Sequence, residues 1–366
     1  MRNKWQNKEA KKYIKDYKKI NIEQDLALRI YSTHLLGREK KLVLHGGGNT
    51  SLKTISKNLF NKNIEVMHIK GSGWDMGSID YPGLPAVDLE PLMYTKKLKK
   101  LDDFDMVNLQ RKSLLDSSSP NPSVETLLHA FLPFKYVDHT HANAILSLIN
   151  QPNDIKICKT TFGNSIGIVP YVIPGFELAL KSFEVFKENP NVIGLILLNH
   201  GIFTFGNNAK ESYDRMIKLV SIAEKKINKY SNKILTKKII KKDKNLEISS
   251  NVFLPLIRNH LSYLEKNEGI AKWILDIRSN SDILKYLNHP KLNQFSQMGP
   301  ITPDHVIRIK PKPLIINLLN KNINQIEKNI KGGIEKFRMD YKKYFLKNKK
   351  NVSNPVELDP NPRLIF

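Results

Sequence analysis

The sequence predicts an α/β protein in which helices pack against a central sheet, followed by a mainly helical C-terminal extension. Short apolar runs alternate with helical patterns through residues 20–235, as is typical of layered α/β folds. A strongly basic stretch at 237–244 then interrupts the alternation and indicates a solvated linker. Beyond it, residues 245–345 have a helical pattern, and residues 346–366 are rich in Asn, Lys and Pro. We therefore expect a first domain at 20–235, a helical extension at 245–345 and a mobile tail at 346–366.

The composition indicates a folded, reduced protein with a basic surface. The chain has 366 residues, 40% of them hydrophobic, which is enough for a sizeable core. Its single cysteine, Cys158, has no intramolecular partner, which favours a reducing compartment. The 59 Lys and Arg against 35 Asp and Glu give a net charge of +24, dispersed without regularly interleaved aromatic residues. We expect no nucleic-acid partner, although a cationic surface attracts phosphorylated metabolites.

The sequence shows neither an export signal nor a membrane span. Residues 1–20 are crowded with Lys and lack the apolar core of a signal peptide. The longest strongly apolar run, residues 192–198, is far shorter than the roughly 20 residues that a membrane helix needs. We expect a soluble, cytoplasmic protein with no membrane partner.

The first predicted elements are one helix and two strands. Apolar residues at helical spacing predict a helix over 22–36, followed by Gly37, a residue type common just after a helix end. The apolar runs 42–44 and 64–69 each lead into glycines. They predict strands that end in glycine loops.

From Pro122 onwards, strands and helices alternate. Ser123 is the expected N-cap of a helix over 126–131. The elements predicted after it are a strand at 136–141, a helix at 142–149, a strand at 166–173, a helix at 177–188, a buried strand at 192–198 and a helix at 209–226.

Three histidines are the first candidates for chemistry. His139 and His141 are two residues apart in a predicted strand, so their side chains project from the same face. His200 follows the apolar run 192–198 and precedes a glycine. Imidazole nitrogens suit zinc and related divalent metals. A lone histidine is more often a hydrogen-bonded structural residue, and the spacing alone leaves metal ligation and that interpretation about even.

Two glycine loops and one carboxylate complete the candidates. In the first loop, Gly46–Gly48 precede Asn49, and the second has the sequence Lys-Gly-Ser-Gly at 70–73. Such loops either direct backbone N–H groups at a phosphate or form tight turns. Glu125 lies near a predicted helix start, where it is either an ordinary capping residue or a carboxylate beside a metal, able to act as ligand or general acid/base.

Together these motifs resemble the class II aldolase/adducin family. The matching segments are Gly-Gly-Gly-Asn-Thr-Ser at 46–51, Lys-Gly-Ser-Gly at 70–73, Pro-Ser-Val-Glu at 122–125, His-Thr-His at 139–141 and Asn-His-Gly at 199–201. The series is most similar to the aldolase part of bifunctional rhamnulose-1-phosphate aldolase/lactaldehyde dehydrogenases. This resemblance implies a three-layer α/β/α fold with a largely antiparallel central sheet.

The resemblance also implies a set of site residues. It implies that His139, His141 and His200 bind Zn²⁺ or another divalent metal, and that Glu125 serves as ligand and acid/base. The residues that it places at the substrate phosphate are Gly48, Asn49, Ser72, Gly73 and Ser123. His305, in a segment specific to the subfamily, is a further candidate that could instead be structural. The family typically forms homotetramers with the site between subunits.

The implied activity is cleavage of a ketose 1-phosphate, rhamnulose 1-phosphate in the first instance, to dihydroxyacetone phosphate and lactaldehyde. A metal would stabilise the enediolate that this cleavage leaves. A pentulose-phosphate epimerase, another lyase of the family and a non-catalytic adducin-like module remain alternatives. The sequence contains no dinucleotide-binding glycine fingerprint, so we expect no dehydrogenase activity from this chain.

Overall fold

The computed structural model divides the chain into two compact units. The first consists of Met1–Leu235 with Ile301–Asp304, and the second of Thr236–Pro300 with His305–Phe366. The structure describes residues 1–231, 249–262, 264–265, 269–270, 272–306, 309–318, 322–351 and 355–366. The basic linker predicted at 237–244 lies outside the described residues.

The first unit is built on a seven-stranded mixed sheet. Its strands are β1 Asn49–Lys57, β2 Asn63–Ile69, β3 Ala86–Asp88, β4 Tyr136–Thr140, β5 Ile166–Val169, β6 Gly194–Leu197 and β7 Gly201–Gly206. They are arranged in the order β3-β2-β1-β4-β7-β6-β5. Neighbours pair antiparallel except β5 and β6, which are parallel. The largely antiparallel sheet is therefore confirmed.

Helices cover both faces of this sheet. They are α1 Asn7–Lys18, α2 Gln24–Gly37, α3 Leu89–Tyr94, α4 Asp103–Lys112, α5 Thr126–Phe131, α6 Asn143–Ile149, α7 Asp154–Phe162, α8 Phe176–Glu188 and α9 Ala209–Ser231. Successive strand residues face opposite layers: Ile202 of β7 packs in a cluster with Tyr213 of α9, whereas Phe203 packs with Leu128 of α5. The three-layer architecture is confirmed.

Two predicted strands differ from the structure. Residues 42–44 form no strand, since Leu42 ends a turn and the next two residues are irregular, and the first strand begins after the glycines, at Asn49. Leu42 and Val43 are apolar because they pack into a helix-lined cluster, and the Leu44 N–H donates to the Asp304 carboxylate instead of a neighbouring strand. The strand predicted over 166–173 ends at Val169, because Pro170 has no N–H for the ladder.

The second unit is mainly helical, as predicted. Its described elements are α10 Ser250–Leu261, the short strands β8 Leu264–Glu265 and β9 Gly269–Ile270, α11 Ser281–Leu287, α12 Leu292–Phe295 and α14 Ile323–Asn348. A short helix, α13 Pro303–Val306, spans the boundary between the unit assignments. α10 and α14 share an apolar cluster that includes Ile257 and Ile330.

The end of the chain, predicted as a mobile tail, makes defined contacts within the second unit. The Leu314 N–H donates to Leu364 O at 2.9 Å, and the Phe366 N–H donates to Leu314 O at 2.8 Å. Asn361 is buried and its amide donates to Leu261 O at 3.0 Å. The final apolar residues therefore pair with an extended segment because their backbone groups find partners there.

No helix in the described ranges is both long and apolar enough to cross a membrane.

Candidate metal centre and active site

Three histidine side chains converge in a buried cluster of the first unit. His139 lies on β4, His141 follows the end of this strand, and His200 lies in the turn between β6 and β7. One potential ligand atom from each ring lies within 4.8 Å of the others. The i, i+2 spacing on a strand brings the first two rings together, with their Nε2 atoms 3.0 Å apart. His200 lies close to these two rings because the β6–β7 turn ends beside β4.

The hydrogen bonds of His139 and His141 determine which nitrogen of each ring is free. His139 Nδ1 lies 3.0 Å from Ile202 O, and His141 Nδ1 lies 2.7 Å from Asp304 Oδ1. A carbonyl and a carboxylate only accept, so both Nδ1 atoms carry the proton. Burial holds the pKa of His139 well below its usual value, so that this ring is neutral. Two Nε2 lone pairs then face each other, an arrangement that a cation between them would stabilise.

Glu125 and His200 close the cluster. Glu125 Oε1 lies 3.1 Å from His200 Nε2, and Glu125 Oε2 lies 3.4 Å from His139 Nε2. His200 Nδ1 is buried without a hydrogen-bond partner in the described part of the chain. Buried polar atoms are normally satisfied, and nitrogen and carboxylate oxygen donors in this number match a zinc-type site. The residues present therefore fit a divalent metal.

A polar network holds the Glu125 carboxylate. Asn49 pairs directly with His139 across β1 and β4, and its Nδ2 donates to Glu125 Oε2 at 2.6 Å and to Ser123 Oγ at 3.0 Å. His129 Nε2 donates to Asn49 Oδ1, and Ser51 Oγ donates to His129 Nδ1 at 2.8 Å. Burial lowers the pKa of His129 to about 3, so this ring is neutral. His129 was not among the predicted site residues, because nothing in its local sequence pattern distinguishes it from a core residue.

A lysine of the second glycine loop connects it to the first. Lys70 Nζ donates to Gly46 O at 2.8 Å and to Trp74 O at 2.7 Å. Burial lowers the pKa of Lys70 to about 8. Gly48 has a φ of +59°, and a Cβ there would lie 2.7 Å from His139 O, so this position requires glycine.

The predicted phosphate-binding residues fall into two groups. The side chains of Asn49 and Ser123 are engaged with Glu125 and with each other. Ser72 is exposed, and Gly73, with a φ of +80°, has no described atom within 4 Å of a Cβ placed on it. The second loop lies beside the Ser123 segment, because the Ser123 N–H donates to Lys70 O at 3.2 Å.

Asp304 is a site residue that sequence analysis missed. Its neighbour His305 was the candidate, but it is Asp304, in the first unit, that contacts His141. His305 is half-buried and is assigned to the second unit, so its catalytic role stays a prediction. Asp138, between the two strand histidines, points to the opposite face and pairs with Arg29 at 2.5 Å, as its alternation on the strand predicts.

Two family profiles match the chain. The profile described as "Class II Aldolase and Adducin N-terminal domain" matches residues 29–227, and "Aldolase class II, second domain" matches residues 249–366.

Similar proteins include an uncharacterized oxidoreductase of Bacillus subtilis, 34% identical over 346 residues, which covers 92% of this chain and 49% of that protein. This chain thus spans about half the length of that relative. A probable L-ribulose-5-phosphate 4-epimerase of Mycoplasma pneumoniae is 26% identical over 230 residues, covering 57% of this chain and 82% of that protein. The solved N-terminal class II aldolase domain of a conserved protein from Thermoplasma acidophilum is 38% identical, with a TM-score of 0.56, and covers 62% of this chain and 99% of that chain.

Proposed function

The chain belongs to the class II aldolase and adducin family, and from this premise we propose that it is a metal-dependent aldolase acting on a ketose 1-phosphate. The proposed substrate is rhamnulose 1-phosphate, and the products are dihydroxyacetone phosphate and lactaldehyde. The observation that carries the proposal is the buried convergence of His139, His141 and His200 with the Glu125 carboxylate. An adducin-like module without catalysis would have no need of such a cluster.

The three imidazoles and Glu125 would hold Zn²⁺ or another divalent ion. When bound, this ion supplies Lewis-acid stabilisation of the negative charge that carbon–carbon cleavage leaves on the phosphorylated half of the sugar. The fixed Nδ1–H donors of His139 and His141 keep the opposite nitrogens available for it.

Glu125 is the proposed general acid/base. Cleavage between C3 and C4 requires removal of the C4 hydroxyl proton and later protonation of the phosphorylated fragment. The Asn49 amide donates to Oε2 of Glu125, leaving Oε1 on the side of His200. The carboxylate is thus held in one orientation and can exchange a proton through Oε1.

The substrate phosphate is proposed to bind near the second glycine loop. Ser72 and Gly73 are accessible there, and Gly48, Asn49 and Ser123 lie toward the histidines. We also propose that the protein forms a homotetramer in the cytoplasm. Its proposed ligand is a phosphorylated ketose. Exposed groups of the basic surface, with a net charge of +24, would favour the approach of a phosphorylated sugar.

A pentulose-phosphate 4-epimerase is the second candidate. Its support is the similarity to the Mycoplasma protein whose name gives that activity. Both reactions would use the same metal and proton-transfer groups, and they differ in whether the cleaved fragments are released. The oxidoreductase name belongs to a Bacillus protein about twice as long as the part matched here, and no dehydrogenase activity is proposed for this chain.

The test is a retro-aldol assay on rhamnulose 1-phosphate, coupled to detection of dihydroxyacetone phosphate, with metal content measured on the same samples. We expect activity and about one metal per chain in the wild type, and loss of both in His141→Ala. His289→Ala, a change at a histidine of the second unit, is the matched control and should retain both. Epimerised product from ribulose 5-phosphate without release of dihydroxyacetone phosphate would favour the epimerase, and product from neither substrate would contradict the proposal.

A further inference from the structure

Asp304 is a carboxylate in direct contact with His141, and both of its oxygens are engaged. Oδ1 accepts from His141 Nδ1 at 2.7 Å, and Oδ2 accepts from the Leu44 N–H at 2.9 Å. The side chain is 2% exposed. A carboxylate with both oxygens engaged has one orientation available, so that the direction of the His141 ring is determined by the Asp304 backbone position.

The first glycine loop is shaped around this carboxylate. A Cβ at Gly47 would lie 1.6 Å from Asp304 Oδ1, closer than any non-bonded contact permits. The Gly47 N–H donates to Leu44 O at 2.9 Å, which closes a turn directly beside the carboxylate. Gly47 lies in the loop that the sequence predicts either to bind phosphate or to form a tight turn, and its lack of a side chain makes room for Asp304.

Asp304 determines the tautomer of His141 as well as the orientation of its ring. A carboxylate at Nδ1 requires the proton on that nitrogen and leaves the Nε2 lone pair pointing at His139 Nε2, 3.0 Å away. Without it, the ring is free to adopt the other tautomer, whose Nε2–H cannot bind a metal. Carboxylate partners of this kind also raise the basicity of a ligating imidazole.

We propose that Asp304 is a positioning residue for the metal centre, which holds His141 in the tautomer and orientation required for ligation, and that Gly47 is needed to admit it. This inference rests on the proposed function in that it assumes a metal at the histidine cluster. The inference goes beyond the proposed function because it assigns a role in this metal centre to a residue from the region matched by the second-domain profile.

The experiment measures zinc affinity by competition with a chromophoric chelator, using the full chain. Asp304→Asn keeps the shape of the side chain but replaces one acceptor with a donor, so that either His141 or Leu44 loses its partner. We expect zinc to bind about 10- to 100-fold more weakly than in the wild type. Asp282→Asn, the same change at an exposed aspartate, is the matched control and should bind zinc like the wild type.

Two further measurements separate positioning from a general loss of structure. The metal-free Asp304→Asn protein should unfold cooperatively, and its Co²⁺ form should show an altered visible absorption spectrum, which a distant structural defect would not produce. Gly47→Ala leaves Asp304 in the chain but displaces it, and should reproduce the weaker zinc binding. Zinc affinity within twofold of the wild type in both variants would overturn the inference.

The tautomer of His141 can be tested directly in a protein that retains Asp304. In the wild-type, metal-free protein, the ¹⁵N shifts of the His141 ring, assigned by their absence in His141→Ala, should show a protonated Nδ1. A ring protonated at Nε2 instead of Nδ1 would overturn the inference, even where Asp304→Asn fails to fold. Failure of the wild type itself to bind zinc or Co²⁺ would instead contradict the metal requirement of the proposed function, and this inference with it.

Discussion

At the residue scale, the orientation of the Glu125 carboxylate depends on the ring of His129, which acts on it through Asn49. His129 donates to Asn49 Oδ1, which turns the amide so that Nδ2 faces Glu125 Oε2. We expect His129→Phe, which keeps a buried ring against Phe203, to lower kcat on the order of tenfold or more, because Glu125, the proposed acid/base, is no longer held. The unfolding free energy should fall by about 1–3 kcal/mol, since Asn49 and Ser51 lose a partner. Steady-state kinetics and denaturant unfolding measure the two effects.

Ser51→Ala provides the control for this prediction. It removes the hydrogen bond on the far side of the same ring, to Nδ1, and leaves the His129–Asn49 contact in place. Stability should fall by about 1 kcal/mol, with kcat and metal content close to those of the wild type. An unchanged kcat in His129→Phe would show that the amide keeps its orientation without the imidazole.

The site residues differ in how far local sequence could reveal them. His139 and His141 were predicted to share a face because strand alternation is a local rule, and the structure brings their Nε2 atoms together. Asp304 was missed because it lies 163 positions along the chain from His141, and no spacing rule covers such a separation. Asn49 and Ser123 were identified through the resemblance, but their bonds to Glu125 depend on packing that a motif does not specify.

At the element scale, two lysines cap the C-terminal end of α5. Lys53 Nζ donates to Leu132 O, and Lys96 Nζ donates to Phe131 O at 3.3 Å. These carbonyls have no partner within the helix, and cations are favoured at this end. Burial, with a further contribution from the charge of Lys96, lowers the pKa of Lys53 from 10.5 to about 7. Holding the Lys53 ammonium in this capping contact therefore costs desolvation free energy.

This low pKa predicts a stability that rises with pH. Between about pH 7 and 10.5 the unfolded chain binds a proton on Lys53 that the folded chain lacks, so the unfolding free energy increases with pH, by at most about 1.4 kcal/mol per pH unit. Below pH 7 both states are protonated and the dependence disappears. Denaturant unfolding from pH 6 to 9.5 should show this rise in the wild type relative to Lys53→Met.

Lys57→Met is the matched control, because Lys57 lies on the same strand and is exposed. It should follow the wild-type pH dependence. Identical curves for the wild type and Lys53→Met would mean that Lys53 remains charged in the folded protein across this range.

Element prediction succeeded where a local pattern coincided with the packing and failed where it did not. Apolar residues at helical spacing correctly indicated α2. The helix expected after Pro122 is confirmed as α5, but its N-cap is Glu125 and not the expected Ser123. The apolar run 42–44 was interpreted as a strand because burial and strand formation both select such residues. The contact of the Leu44 N–H with Asp304 and the turn bond of the Leu42 N–H to Glu39 O show that the backbone of this run is used differently.

At the scale of the whole molecule, each unit has its own apolar core, and the histidine cluster belongs to the first. The first unit is built around the sheet, with Ile196 and Leu197 packing into clusters on its two faces. The second contains the cluster of α10 and α14. A metal bound at the histidines should therefore stabilise the first unit directly, because it binds a site that exists only when the sheet is folded.

We expect zinc at 100 times its dissociation constant to raise the unfolding free energy of the first unit by about 2.7 kcal/mol. Calorimetry with and without zinc measures the shift, and where two transitions are resolved, only the one that melts the sheet should move. His200→Ala removes one of the three converging imidazoles and should abolish most of the shift while leaving the metal-free transition near that of the wild type. An equal zinc shift in His200→Ala would place the stabilising metal elsewhere, and a zinc-dependent shift confined to the helical second unit would contradict the assignment of the metal centre to the sheet.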